Sequence, residues 1–133
     1  MLGSYPANPG MAASLKILVV DDEPSITQSM RFIFERPRYE LSSAQDGDDA
    51  LAQVTADPDP YDVVITDNNM PRLSGIELVR ELRERSFSGK IMVLSAHLSA
   101  ELRKAYEQME VDLMIEKPFD IAELRRALDN LAE

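Results

Sequence analysis

Residues 63–71 read VVITDNNMP: three consecutive apolar residues lead into Thr66 and Asp67, and a polar turn sequence follows. A continuous apolar run is typical of a strand that is buried on both faces, as in a parallel sheet. Asparagine is favoured in turns because its side chain bonds the nearby backbone. The stretch therefore predicts an interior parallel strand with an aspartate at its carboxyl end.

Similar apolar runs, separated by segments of helical period, lie on both sides of this strand. The predicted strands cover residues 17–20, 39–42, 63–65, 91–94 and 111–115. Four helices are marked by apolar residues at helical spacing: Ile26, Met30, Ile33 and Phe34; Leu73, Ile76, Val79 and Leu82; Leu98, Leu102 and Met109; and Ile121, Leu124, Leu128 and Leu131. Pro37 is expected to stop the first helix, and another begins at Gly47 and ends near Asp57-Pro58.

Strict alternation of strands and helices predicts an α/β fold, a doubly wound five-stranded parallel sheet with helices on both faces. Strands one, three and four are continuous apolar runs, whereas strands two and five alternate with polar residues such as Glu40 and Asp112. The second and fifth strands are therefore predicted at the edges. With right-handed crossovers, this favours the flavodoxin-like order 2-1-3-4-5.

The chain is acidic, with 24 Asp and Glu against 14 Lys and Arg and a formal net charge of -10. This charge repels a phosphate backbone, so direct nucleic-acid binding is not expected. No apolar run approaches the length of a membrane span, so a soluble protein without membrane contact is predicted. The absence of cysteine excludes disulfides and thiolate metal sites and suits a cytoplasmic location.

The first fourteen residues differ in composition from the rest of the chain. They are rich in small residues, proline and glycine, and they lack the basic and apolar regions of a signal peptide. Residues 1–14 are predicted to form a disordered tail, and residues 15–133 a single domain.

Polar side chains follow four of the predicted strands: Asp21 and Asp22, Asp67, Ser95 and Lys117. Because ligands of open α/β sheets bind beyond the carboxyl ends of the strands, these residues are expected to meet at one rim. Clustered carboxylates repel each other unless a cation lies between them, and Mg²⁺ suits one or two carboxylates with several waters. Asp67 is then a candidate nucleophile, since carboxylates form aspartyl phosphates.

Four motifs at these strand ends are similar to those of response-regulator receiver domains. They are Val19-Val20-Asp21-Asp22-Glu23-Pro24, Val64-Ile65-Thr66-Asp67-Asn68-Asn69-Met70-Pro71, Ser95-Ala96 and Lys117-Pro118-Phe119. Each motif is weak alone, but all four in order are a specific signature. The resemblance covers the chain from about Lys16 to its end and implies a receiver domain of two-component signalling over residues 15–133.

The resemblance also implies a role for each residue of the rim. Asp67 is the phosphoacceptor, and Mg²⁺ is bound by Asp22, Asp67 and the backbone carbonyl of Asn69. Asp21 acts through a metal-bound water. Ser95 supplies the hydroxyl of the switch, and Lys117 the phosphate-binding ammonium, with a cis bond to Pro118.

Partners and regulation follow from the same resemblance. A sensor histidine kinase or phosphotransfer protein supplies the phosphoryl group, and a downstream protein target or output domain reads the change. No enzymatic activity is expected beyond self-catalysed phosphoryl acceptance and dephosphorylation.

The fifth strand departs from the family, which has an aromatic residue where this chain has Met114. Strand alternation places Val111, Leu113 and Ile115 on one side, and Met114 on the other with Asp112 and Glu116, beside the helix of Leu102 and Tyr106. A flexible methionine predicts more graded coupling to the output surface of the fourth helix, fifth strand and fifth helix.

Simpler explanations exist for the individual residues. Asp21 and Asp22 suit a helix cap before Pro24, and Ser95 suits a cap of the fourth helix. Asp67 suits a turn, Lys117 a solvated surface charge, and His97, the single histidine, an exposed position. The run 46–49 resembles a calcium loop only superficially, and it is read as a helix start.

Two other functions remain open. One is an interaction domain that works without phosphorylation, against which the intact Asp22, Asp67, Ser95 and Lys117 argue. The other is an aspartate-based phosphotransferase or phosphatase, but Asn69 stands where such an enzyme has a second acid. No phosphate-cradling glycine loop is present in the sequence.

Overall fold

A computed structural model of the chain describes residues 14–35, 37–56, 60–70 and 73–132, without the side chains of Ile121 and Ala132. Its elements are β1 (Leu15–Val20), α1 (Pro24–Ile33), β2 (Tyr39–Ala44), α2 (Gly47–Ala56), β3 (Val63–Asp67), α3 (Gly75–Glu84), β4 (Lys90–Ser95), α4 (Ala100–Gln108), β5 (Leu113–Glu116) and α5 (Ile121–Ala132). The predicted tail, except Ser14, and the predicted helix end at Asp57-Pro58 lie outside the described residues.

The five strands form one parallel sheet in the order β2-β1-β3-β4-β5. In register, Ile17 of β1 lies between Leu41 of β2 and Val63 of β3. The predicted strand order and both predicted edge strands are therefore confirmed. No helix of the described part of the chain is long and apolar enough to cross a membrane.

Two apolar cores lie on opposite faces of the sheet. Helices α2, α3 and α4 cover one face, and their core includes Leu18, Val20, Leu51, Val64, Leu78, Val79, Leu82, Ile91, Val93 and Tyr106. Helices α1 and α5 cover the other face, with Ile17, Val19, Met30, Ile33, Val63, Ile65, Met92, Leu94, Leu124 and Leu128. Burial on both faces explains why the three central strands are continuous apolar runs.

The fifth strand is shorter than predicted, since it begins at Leu113 rather than at Val111. The amide of Val111 donates to the carbonyl of Tyr106 at 3.2 Å, so Val111 belongs to the turn that ends α4. Its side chain packs against the same core as Met114, whereas Leu113 packs against the core on the opposite face of the sheet. The predicted side of Val111 is therefore wrong, because the strand alternation begins only at Leu113. The predicted place of Met114 beside Leu102 and Tyr106 is confirmed.

Several helix ends also differ from the predictions. Leu73 and Leu98 precede α3 and α4, because Ser74 and Ser99 are the N-caps and accept hydrogen bonds from backbone amides of the first turn. Helix α1 ends at Ile33, before Pro37 is reached. Phe34 instead turns into the core and packs edge-on against Tyr39, with ring centroids 5.0 Å apart.

One arginine joins the carboxyl ends of α3 and α4. Arg83 donates from Nε to the carbonyl of Met109 at 3.0 Å and from Nη2 to that of Glu110 at 2.6 Å. A third bond, from Nη1 to the carbonyl of Phe87, measures 3.1 Å. The rigid guanidinium fork therefore satisfies three carbonyls at once and fixes the end of α4 to α3.

Candidate functional site

Three carboxylates meet where β1 and β3 end. Asp21 and Asp22 follow β1, Asp67 is the last residue of β3, and the register pairs Val20 with Thr66 just before them. One oxygen from each carboxylate lies within 4.8 Å of the other two. Asp21 and Asp67 are buried and Asp22 is exposed, so the cluster is reached from one side.

Asp21 leaves one oxygen without a hydrogen bond. Its Oδ1 accepts from the amide of Glu23 at 2.9 Å, whereas the buried Oδ2 has no hydrogen-bond partner among the described residues. Burial raises the pKa of Asp21, the charges of Asp67 and Asp22 raise it further, and the Glu23 amide and Lys117 act in the opposite direction. A buried carboxylate oxygen without a partner is a position where a bound cation compensates.

Lys117, which follows β5, supplies the cation of the cluster. Its Nζ donates to Oδ1 of Asp67 at 3.0 Å and lies 3.8 Å from Oδ2 of Asp21, too far for a hydrogen bond. Burial lowers the pKa of Lys117, but the hydrogen bond to Asp67 and the charges of Asp67 and Asp21 outweigh it and raise the pKa overall. The simpler explanation of Lys117 as a solvated surface charge is wrong. The Lys117–Pro118 bond is cis, as the resemblance implies.

The residue types and their arrangement fit a hard divalent cation. One lysine opposes three carboxylates, and all the donors are oxygens, as Mg²⁺ prefers. An open cleft beside Asp22 is lined by Asn68, Asn69, Met70 and Ser74. Asn69, the predicted carbonyl ligand, is therefore next to the exposed carboxylate, and the open side leaves room for water and a phosphoryl group.

Ser95 reaches the rim at the end of β4 but does not bond the carboxylates. Its buried hydroxyl donates to the carbonyl of His97 at 3.0 Å and accepts from the amide of His97 at 3.2 Å. Ser99, not Ser95, caps α4, so that simpler explanation of Ser95 is wrong. The side chain of His97 is exposed.

The alternatives based on caps and turns have mixed outcomes. Glu23 is the N-cap of α1 and makes no side-chain cap bond, although Asp21 accepts its amide. Residues 46–49 form a helix start, as predicted: Asp46 accepts from the amide of Asp49 at 2.8 Å. The aspartates at the end of β1 thus do more than begin a helix, whereas those before α2 form a local structure.

One residue of this region was missed from the sequence. Tyr106 of α4 is fully buried, and its hydroxyl donates to the side-chain carbonyl of Asn68, the residue after Asp67. The available signal was the spacing of Leu102 and Tyr106 on one helix face, which indicates burial. It does not indicate where a hydroxyl finds its acceptor.

The rim can perform nucleophilic chemistry on a phosphoryl group. Asp67 is a carboxylate directly before Asn68 and Asn69, which line the open cleft, and Lys117 donates to that carboxylate and brings positive charge beside it. Such a site works by position and electrostatic stabilisation, which dominate phosphoryl transfer.

The model of the response regulator receiver domain family matches residues 17–129. Response regulator MprA of Mycolicibacterium vanbaalenii is 37% identical over 110 residues, which are 83% of this chain and 47% of the relative. Transcriptional regulatory protein ResD of Bacillus subtilis is 36% identical over 82% of this chain and 44% of its own. The chain thus spans about half the length of the curated relatives it matches.

The fold is also similar to those of solved structures of a chemotaxis protein and of a response regulator receiver domain. Chemotaxis protein CheY4 of Vibrio cholerae has a TM-score of 0.82 at 31% identity, covering 90% of this chain and 99% of its own. The Francisella response regulator 1452 receiver domain has a TM-score of 0.81 at 33% identity, covering 90% and 97%.

Proposed function

The chain belongs to the response regulator receiver domain family of two-component signalling, and on that premise we propose that Asp67 accepts a phosphoryl group in a Mg²⁺-dependent reaction. Asp22, Asp67 and the Asn69 carbonyl would hold the ion, and Asp21 would act through a metal-bound water. The observation that carries the proposal is the buried Oδ2 of Asp21, which lacks a hydrogen-bond partner beside Asp67 and Lys117. When bound, Mg²⁺ neutralises charge on the phosphoryl oxygens.

The donor is a phosphohistidine of a sensor histidine kinase or phosphotransfer protein. An oxygen of Asp67 forms a bond to phosphorus as the phosphorus–nitrogen bond breaks, and the imidazole keeps the electron pair. Lys117 exchanges its bond to Asp67 for one to a phosphoryl oxygen, a short movement from 3.0 Å contact. The chain catalyses its own phosphorylation and dephosphorylation and acts on no other substrate.

Ser95 provides the switch. Its hydroxyl is bonded to the backbone of His97, so binding a phosphoryl oxygen requires it to leave those bonds and alter the turn before α4. The surface of α4, β5 and α5 then changes and is read by a downstream protein or by an output domain. The domain itself makes no contact with nucleic acid or membrane and acts in the cytoplasm.

The test is mass spectrometry of the intact chain after incubation with Mg²⁺ and acetyl phosphate. We expect the mass of one phosphoryl group on the wild type, lost with a chelator and in Asp67→Asn. Asp62→Asn is the matched control, because it makes the same change in an aspartate at the opposite end of the sheet, and it keeps the label.

Two results would contradict the proposal. A wild type that takes no phosphoryl group favours an interaction domain that works without phosphorylation. Equal labelling of Asp67→Asn and wild type places the acceptor elsewhere.

A further inference from the structure

Tyr106 connects α4 directly to the residue after the acceptor aspartate. The ring is fully buried in the core under α4, and its hydroxyl donates to Oδ1 of Asn68, 38 positions away in sequence. Burial raises the pKa of Tyr106, and the charge of Asp67 raises it further. The hydroxyl therefore remains protonated and serves as a donor.

Asn68 makes two backbone and two side-chain hydrogen bonds. Its amide donates to the carbonyl of Leu94 in β4 at 2.9 Å, and its carbonyl accepts from the amide of Gly75 at 3.0 Å. In its side chain, Oδ1 accepts from Tyr106 and is thereby tied to α4, and Nδ2 donates to Oδ1 of the neighbouring Asn69 at 3.4 Å. The two backbone bonds fix the peptide groups, whereas the tyrosine fixes the side chain.

The packing beside this bond leaves no space for a side chain at Gly75. A Cβ on Gly75 would lie 2.5 Å from the hydroxyl oxygen of Tyr106 and 2.9 Å from both the Cα of Asn68 and the carbonyl oxygen of Asp67. Glycine at the start of α3 is what permits this close approach. The hydroxyl, the Asp67–Asn68 backbone and α3 therefore form one tightly packed unit.

From this geometry we propose that Tyr106 is a positioning residue for phosphoryl acceptance at Asp67. Its hydroxyl holds Asn68, and Asn68 lies between the acceptor Asp67 and Asn69, the residue that lines the metal cleft. Small displacements of reacting groups slow reactions that depend on position, so loosening this unit lowers the rate. The inference rests on the proposed function and adds a residue of helix α4 to those that act in phosphoryl acceptance.

The experiment compares labelling rates with acetyl phosphate and Mg²⁺ for Tyr106→Phe, Asn68→Leu and the double variant. Tyr106→Phe keeps the ring and removes the hydroxyl, and we expect labelling about three- to tenfold slower, the effect of one neutral hydrogen bond. Asn68→Leu removes the acceptor and is expected to slow labelling similarly. Adding Tyr106→Phe to Asn68→Leu should then change little, because the two groups act through one bond.

Tyr39→Phe is the matched control. Tyr39 is also buried, and its hydroxyl donates to Oδ1 of Asp129 at 2.7 Å, away from the rim. Its loss lowers the unfolding midpoint in urea without changing labelling, so a rate effect confined to Tyr106→Phe is not a general loss of stability.

Three results would overturn the inference. Labelling of Tyr106→Phe at the wild-type rate removes the positioning role, as does equal slowing in Tyr39→Phe. Additive effects of Tyr106→Phe and Asn68→Leu show that they act separately. All three results leave the proposed function intact. A wild type that takes no label would instead overturn both the proposed function and the positioning role of Tyr106.

Discussion

The two ends of the sheet carry aspartates in opposite environments. At the amino end, Asp62 accepts from the amide of Lys16 at 2.8 Å, and Asp112 accepts from the amide of Ile91 at 2.8 Å. Asp112 also lies 3.8 Å from Arg83 and 3.9 Å from Lys90. At the carboxyl end, Asp21, Asp22 and Asp67 crowd together, and Lys117 is the cation beside them.

The difference separates carboxylates that stabilise the fold from carboxylates whose charge the fold disfavours. Asp62 and Asp112 accept hydrogen bonds from backbone amides near the starts of strands, so each contributes to the stability of the folded state. The pKa of Asp21 is raised by burial and by neighbouring carboxylates, which means that its charged form is disfavoured by folding. Groups with perturbed pKa values are concentrated at functional sites.

The largest expected effect on the labelling rate distinguishes Lys117, at the carboxyl end of the sheet, from Lys90, at the amino end. Lys117→Ala removes the ammonium that contacts Asp67, and we expect phosphoryl acceptance to slow by about a hundredfold, as when one donor to a developing charge is removed. The measurement is the initial rate of label incorporation at saturating Mg²⁺.

Lys90→Ala is its control, because Lys90 is an exposed partner of Asp112 at the other end. Exposed pairs contribute at most about 1 kcal/mol, and labelling should not change. Equal rates in Lys117→Ala and wild type would make Lys117 a structural ion pair only.

The stabilisation of the protein by Mg²⁺ should depend on the carboxylates at the carboxyl end of the sheet and not on those at the amino end. At a concentration about 100 times its Kd, a ligand of the folded state adds about 2.7 kcal/mol to the free energy of unfolding. Asp22→Ala should lose this increment, because it removes the exposed carboxylate of the cluster, and Asp112→Ala should retain it. The measurement is urea unfolding with Mg²⁺ and with a chelator; a full increment in Asp22→Ala would exclude Asp22 as a ligand.

The smallest effect concerns stability without metal. Because folding raises the pKa of Asp21, this group stabilises the protein below its unfolded pKa, and the stabilisation is lost as the pH rises through the folded pKa. Asp21→Asn imitates the protonated form, so at pH 7 we expect an increase in the free energy of unfolding, because the buried charge is removed.

This gain should shrink toward zero as the pH falls below 3.8, the ordinary pKa of an aspartate. Asp112→Asn, which weakens a satisfied carboxylate, should instead lower stability at pH 7. Urea unfolding in the presence of a chelator at several pH values distinguishes the two variants. A loss of stability in Asp21→Asn at neutral pH would show that the charged form of Asp21 does not destabilise the folded state.

The strand order could be predicted because its physical cause is written in the sequence. Central strands are buried on both faces and lack polar alternation, as in residues 63–65, whereas β2 and β5 keep it. The approach of Asp21, Asp67 and Lys117 could also be predicted, since the ends of parallel strands share one rim. Their separations along the chain did not matter once the topology was known.

Other features depend on side-chain packing and could not be predicted. Alternation does not reveal where a strand begins, so Val111 was placed on the wrong side. The hydroxyl of Ser95 bonds the turn at His97, a choice that depends on local backbone geometry. The bond from Tyr106 to Asn68 depends on how α4 lies over Gly75, which no pattern in either segment indicates.

The three carbonyl bonds of Arg83 have a mechanical consequence for α4. Two of them, to Met109 and Glu110, hold the carboxyl end of this helix to α3, while its amino end at Ser99 follows the turn in which Ser95 bonds His97. A displacement of α4 that keeps these bonds is a rotation of the helix about its carboxyl end. Helix α4 is therefore anchored at its carboxyl end, and a movement that preserves the Arg83 bonds displaces its amino end at Ser99 the most.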